Sequence, residues 1–179
     1  MAAQQETLPL GVVVERRRID HPWQKYRWLP TAVFAGAPPM APSGEWTVLR
    51  EGEDFVQYHA GTLPLDLFRK ETEAYKVNLS QEPPRIFVVL RQGEDAQGDH
   101  PVTPSFVTAS PYEAQDFLDS GDEIVEGVSM PPDVVAFVQD YVDRHHVDEP
   151  FYKRKRKRAS SGDEAFARKP PVERGGGHG

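Results

Sequence analysis

The chain contains no cysteine among its 179 residues. This excludes disulfide frameworks, cysteine-ligated zinc sites, iron–sulfur clusters and thiol catalysis. Long apolar runs are also missing, since the longest, Ile86–Leu90, has the length of one strand, whereas a membrane-spanning helix needs about 20 apolar residues. Residues 1–10 lack the basic and apolar regions of a secretion signal. These absences predict a cytoplasmic protein without a membrane span.

Charge is distributed unevenly along the chain, which has a formal net charge of -7. Residues 1–150 carry 12 basic and 25 acidic side chains, whereas residues 151–179 carry 9 and 3. The sequence is therefore an acidic body followed by a basic, low-complexity segment. Because such a segment buries too little apolar surface to offset its loss of conformational entropy, we predict a disordered tail over 151–179.

Short apolar and alternating runs predict strands in the first two thirds of the chain. Glu51–Asp54 carries turn residues between two of these runs and predicts a hairpin. Ile86–Leu90 is apolar on both faces, which predicts a central strand. The predicted strands are Leu10–Glu15, Thr31–Ala35, Trp46–Arg50, Phe55–His59, Leu63–Phe68, Ala74–Leu79, Ile86–Leu90 and Thr103–Thr108.

Two helices are predicted after the strands. Ser110-Pro111-Tyr112-Glu113 has the pattern of a capping box, and Gly121 is a suitable left-handed cap after Ser120. The second helix begins at Pro131-Pro132 and ends before Pro150. The sequence thus predicts a disordered N-terminus over 1–6 and a single α+β domain over 7–150. The domain is a mainly antiparallel sheet, curled into a barrel or sandwich, packed by two C-terminal helices.

The most distinctive local motif is a run of six adjacent cations, Lys153-Arg154-Lys155-Arg156-Lys157-Arg158. An anionic partner would bind such a run through counterion release and charge-assisted hydrogen bonds. Nucleic acid, a phosphate-rich cofactor, an anionic membrane surface and an acidic protein patch all have the required charge. A solvated tail that adds only solubility is the alternative interpretation.

A second motif places two of the three tryptophans, Trp23 and Trp28, beside Lys25 and Arg27. Aromatic side chains beside cations can stack on bases or anchor a protein interface. Tryptophans also commonly cover the end of a sheet, and the pattern favours that packing. The net charge of -13 over residues 1–150 disfavours nucleic-acid binding by the body itself.

Sites for catalysis or metal binding are not indicated by the remaining motifs. His145 and His146 are adjacent, so on a helix their side chains point about 100° apart and do not chelate as an i, i+4 pair would. Glu71 and Glu73 would share one face of a strand, where exposed carboxylates commonly serve solubility. The sequence contains neither a Walker loop nor a G-x-G-x-x-G motif, which excludes nucleotide binding through a glycine-rich loop.

Several blocks resemble, in order, a bacterial family of short proteins that form a domain of unknown function. The resemblance extends to Lys157, and the Gly-rich end departs from it. The blocks that carry it are Gly11–Arg16, Pro22–Gln24 with Trp28, Tyr58–Gly61, Glu71–Ser80, Pro84–Arg91, Ala109–Ala114, Gly127–Pro132 and His146–Lys157. Genes of this family often lie beside those for molybdenum-containing formate dehydrogenase and its maturation factors, and some members are labelled molybdopterin-guanine dinucleotide biosynthesis proteins.

The resemblance implies a non-catalytic accessory or assembly protein for a molybdenum-dependent formate dehydrogenase. Its partner would be a dehydrogenase subunit or a maturation factor, held by aromatic and arginine anchors. The basic run Lys153–Arg158 would then contact an acidic patch or the diphosphate of molybdopterin-guanine dinucleotide. No other cofactor, no metal and no catalytic residue is predicted. The predicted partner-binding residues are Arg16, Trp23, Trp28, Arg85, Arg91, Phe151 and Tyr152.

Two alternative functions remain open at the level of sequence. The first is a nucleic-acid-binding regulator that uses the basic tail. The second is an enzyme of molybdopterin-guanine dinucleotide biosynthesis, in which Glu71 and Glu73 would do acid–base work. A glycine-rich nucleotide loop, which such a transferase would be expected to use, is missing from the sequence.

Overall fold

A computed structural model of the chain describes residues 5–93 and 100–148. The chain divides into two units, residues 1–147 and 148–179. All described residues except Asp148 belong to the first unit, which carries the fold described below. The predicted tail over 151–179 lies outside the described residues.

The first sheet has four antiparallel strands in the order β2-β1-β4-β3. Its strands are β1 (Gln5–Arg18), β2 (Tyr26–Ala35), β3 (Thr47–Glu51) and β4 (Phe55–Phe68). The alternating residues Leu10, Val12 and Val14 of β1 are fully buried, as the period-2 pattern predicts. The turn between β3 and β4 falls within Glu51–Asp54, so the predicted hairpin is confirmed.

The second sheet has three antiparallel strands in the order β6-β5-β7. Its strands are β5 (Arg85–Gln92), β6 (Val102–Thr108) and β7 (Glu123–Ser129). The predicted central strand is confirmed, since β5 pairs on both sides and Ile86, Val88 and Leu90 are fully buried. One hydrophobic core contains residues of both sheets and of the last helix.

Three α-helices lie within the described residues: α1 (Thr72–Leu79), α2 (Pro111–Ser120) and α3 (Pro132–His145). Both predicted helices are found. The Ser110 hydroxyl caps α2 by accepting a hydrogen bond from the Glu113 N–H at 3.3 Å, and Gly121 ends it in the left-handed region at φ 75°. The capping box itself is incomplete, because the Ser110 N–H donates to Thr108 Oγ1. Val134, Val138, Tyr141 and Val142 form the buried face of α3.

The structure corrects the predicted strand at Ala74–Leu79, which is helix α1. Its buried residues are Thr72, Ala74, Tyr75 and Asn78, a helical spacing, whereas Val77 is partly exposed. A short alternating segment fits either the strand period of about 2 residues or the helix period of about 3.6, so the pattern alone could not separate a strand from a helix.

Three further differences concern the strands. The predicted segments Phe55–His59 and Leu63–Phe68 form one strand, because Gly61 lies at a β-bulge opposite Val12 and does not end the pairing. Strand β7 was not predicted. β1 begins at Gln5, inside the segment 1–6 that was predicted to be disordered.

Of the predicted barrel or sandwich, the barrel is wrong, since each sheet keeps two edge strands and neither closes on itself. The broader prediction of a mixed α+β fold with antiparallel sheets is confirmed.

Asn78 joins three elements at the end of α1. Its side-chain amide donates to the carbonyls of Arg85 (2.7 Å) and Ala109 (2.8 Å), and its Oδ1 accepts from the Arg85 N–H at 2.9 Å. The residue is 1% exposed. These bonds fix the start of β5 and the segment that leads into α2 against the end of α1.

Replacing Asn78 by alanine should destabilise the fold by about 3 kcal/mol, because three backbone groups lose their side-chain partner where little solvent can replace it. Urea unfolding of Asn78→Ala, followed by far-UV circular dichroism, measures this. Ser80→Ala is the matched control on the same segment, since Ser80 is exposed and bonds locally to the Val77 carbonyl. An equal, small effect of both substitutions would contradict the assigned role of Asn78.

Candidate functional site

The connection between β1 and β2, together with the strand ends that flank it, forms a basic hairpin end, residues 16–27, called the basic tip below. It carries five cations, Arg16, Arg17, Arg18, Lys25 and Arg27, and one acid, Asp20. The loop is ordered by backbone bonds: the Ile19 N–H donates to the Lys25 carbonyl at 3.0 Å. The tip itself therefore carries more positive than negative charge, on a body whose remaining charge is strongly acidic. It lies beside the acidic turn between β3 and β4, since the Arg18 backbone N–H donates to the Asp54 carbonyl at 2.7 Å.

The cations of the basic tip face one another across the strand pair. Arg17 lies directly opposite Arg27 in the register of β1 and β2, an arrangement that is unfavourable for like charges. The charge of Arg17 is offset by an ion pair with Glu15, in which Arg17 Nη2 and Glu15 Oε1 are 2.6 Å apart. Within the described part of the chain, Lys25 and Arg27 form no ion pair, so their charge is available to a partner.

Trp23 is the most exposed large hydrophobic side chain in the described structure, at 90%. It lies in the loop of the basic tip, where its backbone N–H donates to His21 Nδ1 at 3.2 Å. Because its indole ring is exposed to water, Trp23 contributes no burial energy to the fold. The position predicted to contact a partner is therefore free to do so.

Trp28 has a different environment from Trp23 and packs within the fold. Its ring contacts Trp46, Tyr58 and His100, with centroids 5.9–6.2 Å apart. Arg16 lies over the Tyr26 ring at 4.5 Å and over the Trp28 ring at 5.9 Å. The structure thus brings Arg16 and Trp28 together, whereas Trp23 lies in the loop before β2.

The two predicted anchors of β5 lie at opposite ends of that strand. Arg91 is exposed and lies 3.7 Å from Glu123 of β7. Arg85 begins β5, beside Asn78. The two residues are six positions apart along the strand, about 20 Å. Phe151, Tyr152 and the run Lys153–Arg158 lie outside the described residues.

A cleft with a volume of about 290 Å³ lies beside Arg85. Its apolar walls come from α1, the segment before β5, β5 itself and the start of α2. The sequence could not indicate this site, because its walls belong to four separate segments. It is lined by Val77, Asn78, Gln81, Glu82, Pro83, Arg85, Phe87 and Pro111.

A larger apolar groove, about 440 Å³, lies along the proline-rich segment between β2 and β3. Thr62 is the polar side chain in its lining, and its Oγ1 already donates to the Pro38 carbonyl at 2.7 Å. The Thr62 N–H donates to the Met40 carbonyl. The groove therefore offers apolar contact without a charged group to orient a ligand. Its lining comprises Pro9, Ala37, Pro39, Met40, Ala41, Pro42, Thr62, Leu63 and Pro64.

A model of one protein family, described as a protein of unknown function (DUF3305), matches residues 9–156. The chain belongs to this family. No curated protein matches the chain, and no solved structure matches it.

Across this family domain, the blocks that carry the resemblance converge in space. Asn78, from one block, bonds to Arg85 and Ala109, from two others. The Met130 N–H, from a fourth block, donates to the Pro84 carbonyl. Three of these blocks thus line the cleft beside Arg85, and the fourth is bonded to the residue that precedes Arg85.

The carboxylates suggested for acid–base work do not share a strand face. Glu71 ends a 3-10 turn, Arg69–Glu71, and its Oε2 accepts a hydrogen bond from the Ser110 hydroxyl at 3.2 Å. Glu73 lies in the first turn of α1, with a side chain 73% exposed. The strand-face arrangement on which the enzyme alternative depended is wrong, because this segment is helical.

The histidine pair lies at the end of α3. The backbone N–H of His146 donates to the Val142 carbonyl, and the ring Nδ1 of His146 lies 2.9 Å from Thr72 Oγ1. The His145 ring packs on Tyr141. Over residues 5–93 and 100–148, no group of three or more metal-ligating side chains is found. No helix in the same ranges is long and apolar enough to cross a membrane.

Burial raises the pKa of Glu113 in α2, and the nearby charge of Glu71 raises it further. A carboxylate with a raised pKa in the folded state opposes folding at pH values above that pKa. The unfavourable contribution disappears below the unfolded pKa, where both states are protonated.

We expect Glu113→Gln to raise the melting temperature at pH 7 and to leave it unchanged near pH 3.5. Thermal unfolding at both pH values measures this, with Asp122→Asn at an exposed turn as the control. A lower melting temperature for Glu113→Gln at pH 7 would contradict the account, because it would mean that attraction to the helix N-terminus outweighs burial.

Proposed function

We propose that this protein is a non-catalytic accessory or assembly protein for a molybdenum-dependent formate dehydrogenase, acting by protein contact. Membership of the DUF3305 family and the resemblance described above support the choice of system. The basic tip supports contact as the mode of action. The partner is a dehydrogenase subunit or a maturation factor.

The observation that carries the proposal is the exposure of Trp23 at 90% on an ordered, positively charged loop. Tryptophan and arginine are the side chains that most often dominate interface energies, and they do so when a partner desolvates them. Because the tip is ordered by its own hydrogen bonds, little conformational entropy is lost when it binds.

The partner surface should be acidic, with an apolar pocket that receives the indole ring. Opposite charge would steer the two proteins together, and the acidic remainder of the body would orient the tip toward the partner. Binding should therefore weaken as salt rises. The basic run Lys153–Arg158 could add a second contact of the same charge, to protein or to cofactor diphosphate.

Replacing Trp23 by alanine should weaken partner binding by about 30-fold, which corresponds to about 2 kcal/mol. The test is complementation of a gene deletion with either the wild-type protein or Trp23→Ala, followed by assay of formate dehydrogenase activity and molybdenum content. Lost activity with retained molybdenum would indicate assembly, whereas loss of both would indicate cofactor delivery.

Leu118→Ala is the matched control, because Leu118 is 50% exposed on α2, away from the tip in sequence. It should complement fully. Wild-type dehydrogenase activity in the deletion strain would overturn the proposal. Retention of the purified protein by nucleic acid, with a steep salt dependence that Trp23→Ala or removal of residues 153–179 abolishes, would support the regulator instead.

A further inference from the structure

The cleft beside Arg85 combines apolar walls with one cation at its mouth. Val77, Phe87 and Pro111 line it, and its volume of about 290 Å³ suits a single large side chain. Its base is fixed, because the Asn78 amide is fully engaged with the backbone of Arg85 and Ala109. The cleft is therefore formed before any ligand arrives.

The Arg85 side chain lies close to the neighbouring strand β7. A Cβ atom at Gly127 would lie 2.9 Å from Arg85 Cδ and 3.3 Å from the Phe87 ring, so both side chains lie close over the glycine. Gly127 and Phe87 are directly paired across β7 and β5. In the described ranges, the Arg85 guanidinium has neither a hydrogen bond nor an ion pair, which leaves its donors available to an anion.

We propose that this cleft binds the C-terminal residue of a partner polypeptide. The apolar side chain of that residue enters between Val77, Phe87 and Pro111, and its terminal carboxylate accepts hydrogen bonds from the Arg85 guanidinium. This site goes beyond the proposed function, since it uses different elements from the basic tip and stands on separate observations.

The remaining polar lining favours a chain end over a free apolar acid. Gln81 and Glu82 are exposed at the cleft and offer acceptor oxygens. A peptide that leads up to the carboxylate has backbone N–H groups for these acceptors, whereas a small acid has few or none. Glu82 would also disfavour an anion that lacked such donors.

The test uses a synthetic pentapeptide that ends in phenylalanine with a free carboxylate, titrated into isotope-labelled full-length protein by NMR. Resonances of Val77, Phe87 and Pro111 should shift. The same peptide with an amidated C-terminus, and the variant Arg85→Gln with the free acid, should each bind at least tenfold more weakly. N-acetylphenylalanine should bind more weakly than the pentapeptide.

Arg91→Gln, at the other end of β5, is the matched control and should bind like the wild type. Gly127→Ala should also weaken binding while the protein stays folded, because the new methyl group displaces the Arg85 stem. Equal binding of acid and amide, or shifts confined to other surfaces, would overturn the proposal. If N-acetylphenylalanine bound as tightly as the pentapeptide, the proposal that the ligand is the end of a polypeptide chain would be wrong.

Discussion

The hydrogen bonding of β1 to both β2 and β4 is the constraint on which the rest of the first sheet depends. β1 runs for 14 residues and pairs along nearly all of them. The pairing buries Val12 and Val14 completely, and it continues outward until Arg17 faces Arg27. Burial of the apolar side chains stabilises the strand pair, and the strand pair in turn holds the two like charges opposite one another. This physical coupling gives the basic tip a defined shape without a core of its own.

The second sheet depends in the same way on β5 and on Asn78. Strand β5 is apolar on both faces because it is paired on both sides and covered on both. Asn78 then ties its first residue to α1 and to the segment before α2. One side chain therefore joins three segments, and the cleft beside Arg85 lies at that junction. The basic tip belongs to the first sheet, and the cleft lies beside the second, and the two sheets share a single core.

Local patterns in the sequence predicted much of the fold. The cap at Ser110, the turn at Glu51–Asp54 and the apolar run of β5 are local signals, and all three are found. Helix α1 was missed because alternation over six residues fits two periods. The sequence did not separate a barrel from a sandwich, because closure of a sheet depends on non-local pairing. The exposure of Trp23 and the partial burial of Trp28 could not be separated, since both lie in one short segment with Lys25 and Arg27, and the residues that cover Trp28 come from distant parts of the chain.

The central claim is that the basic tip contacts a partner protein through Trp23. The most direct measurement places a photo-crosslinking phenylalanine derivative at Gln24, the exposed neighbour of Trp23, in living cells and identifies the adduct by mass spectrometry. The account predicts an adduct with a formate dehydrogenase subunit or a maturation factor, weakened when Trp23 is changed to alanine or when Lys25 and Arg27 are changed to glutamate, and no such adduct from position 118. The absence of a protein adduct at position 24, or the same adducts from both positions, would contradict it.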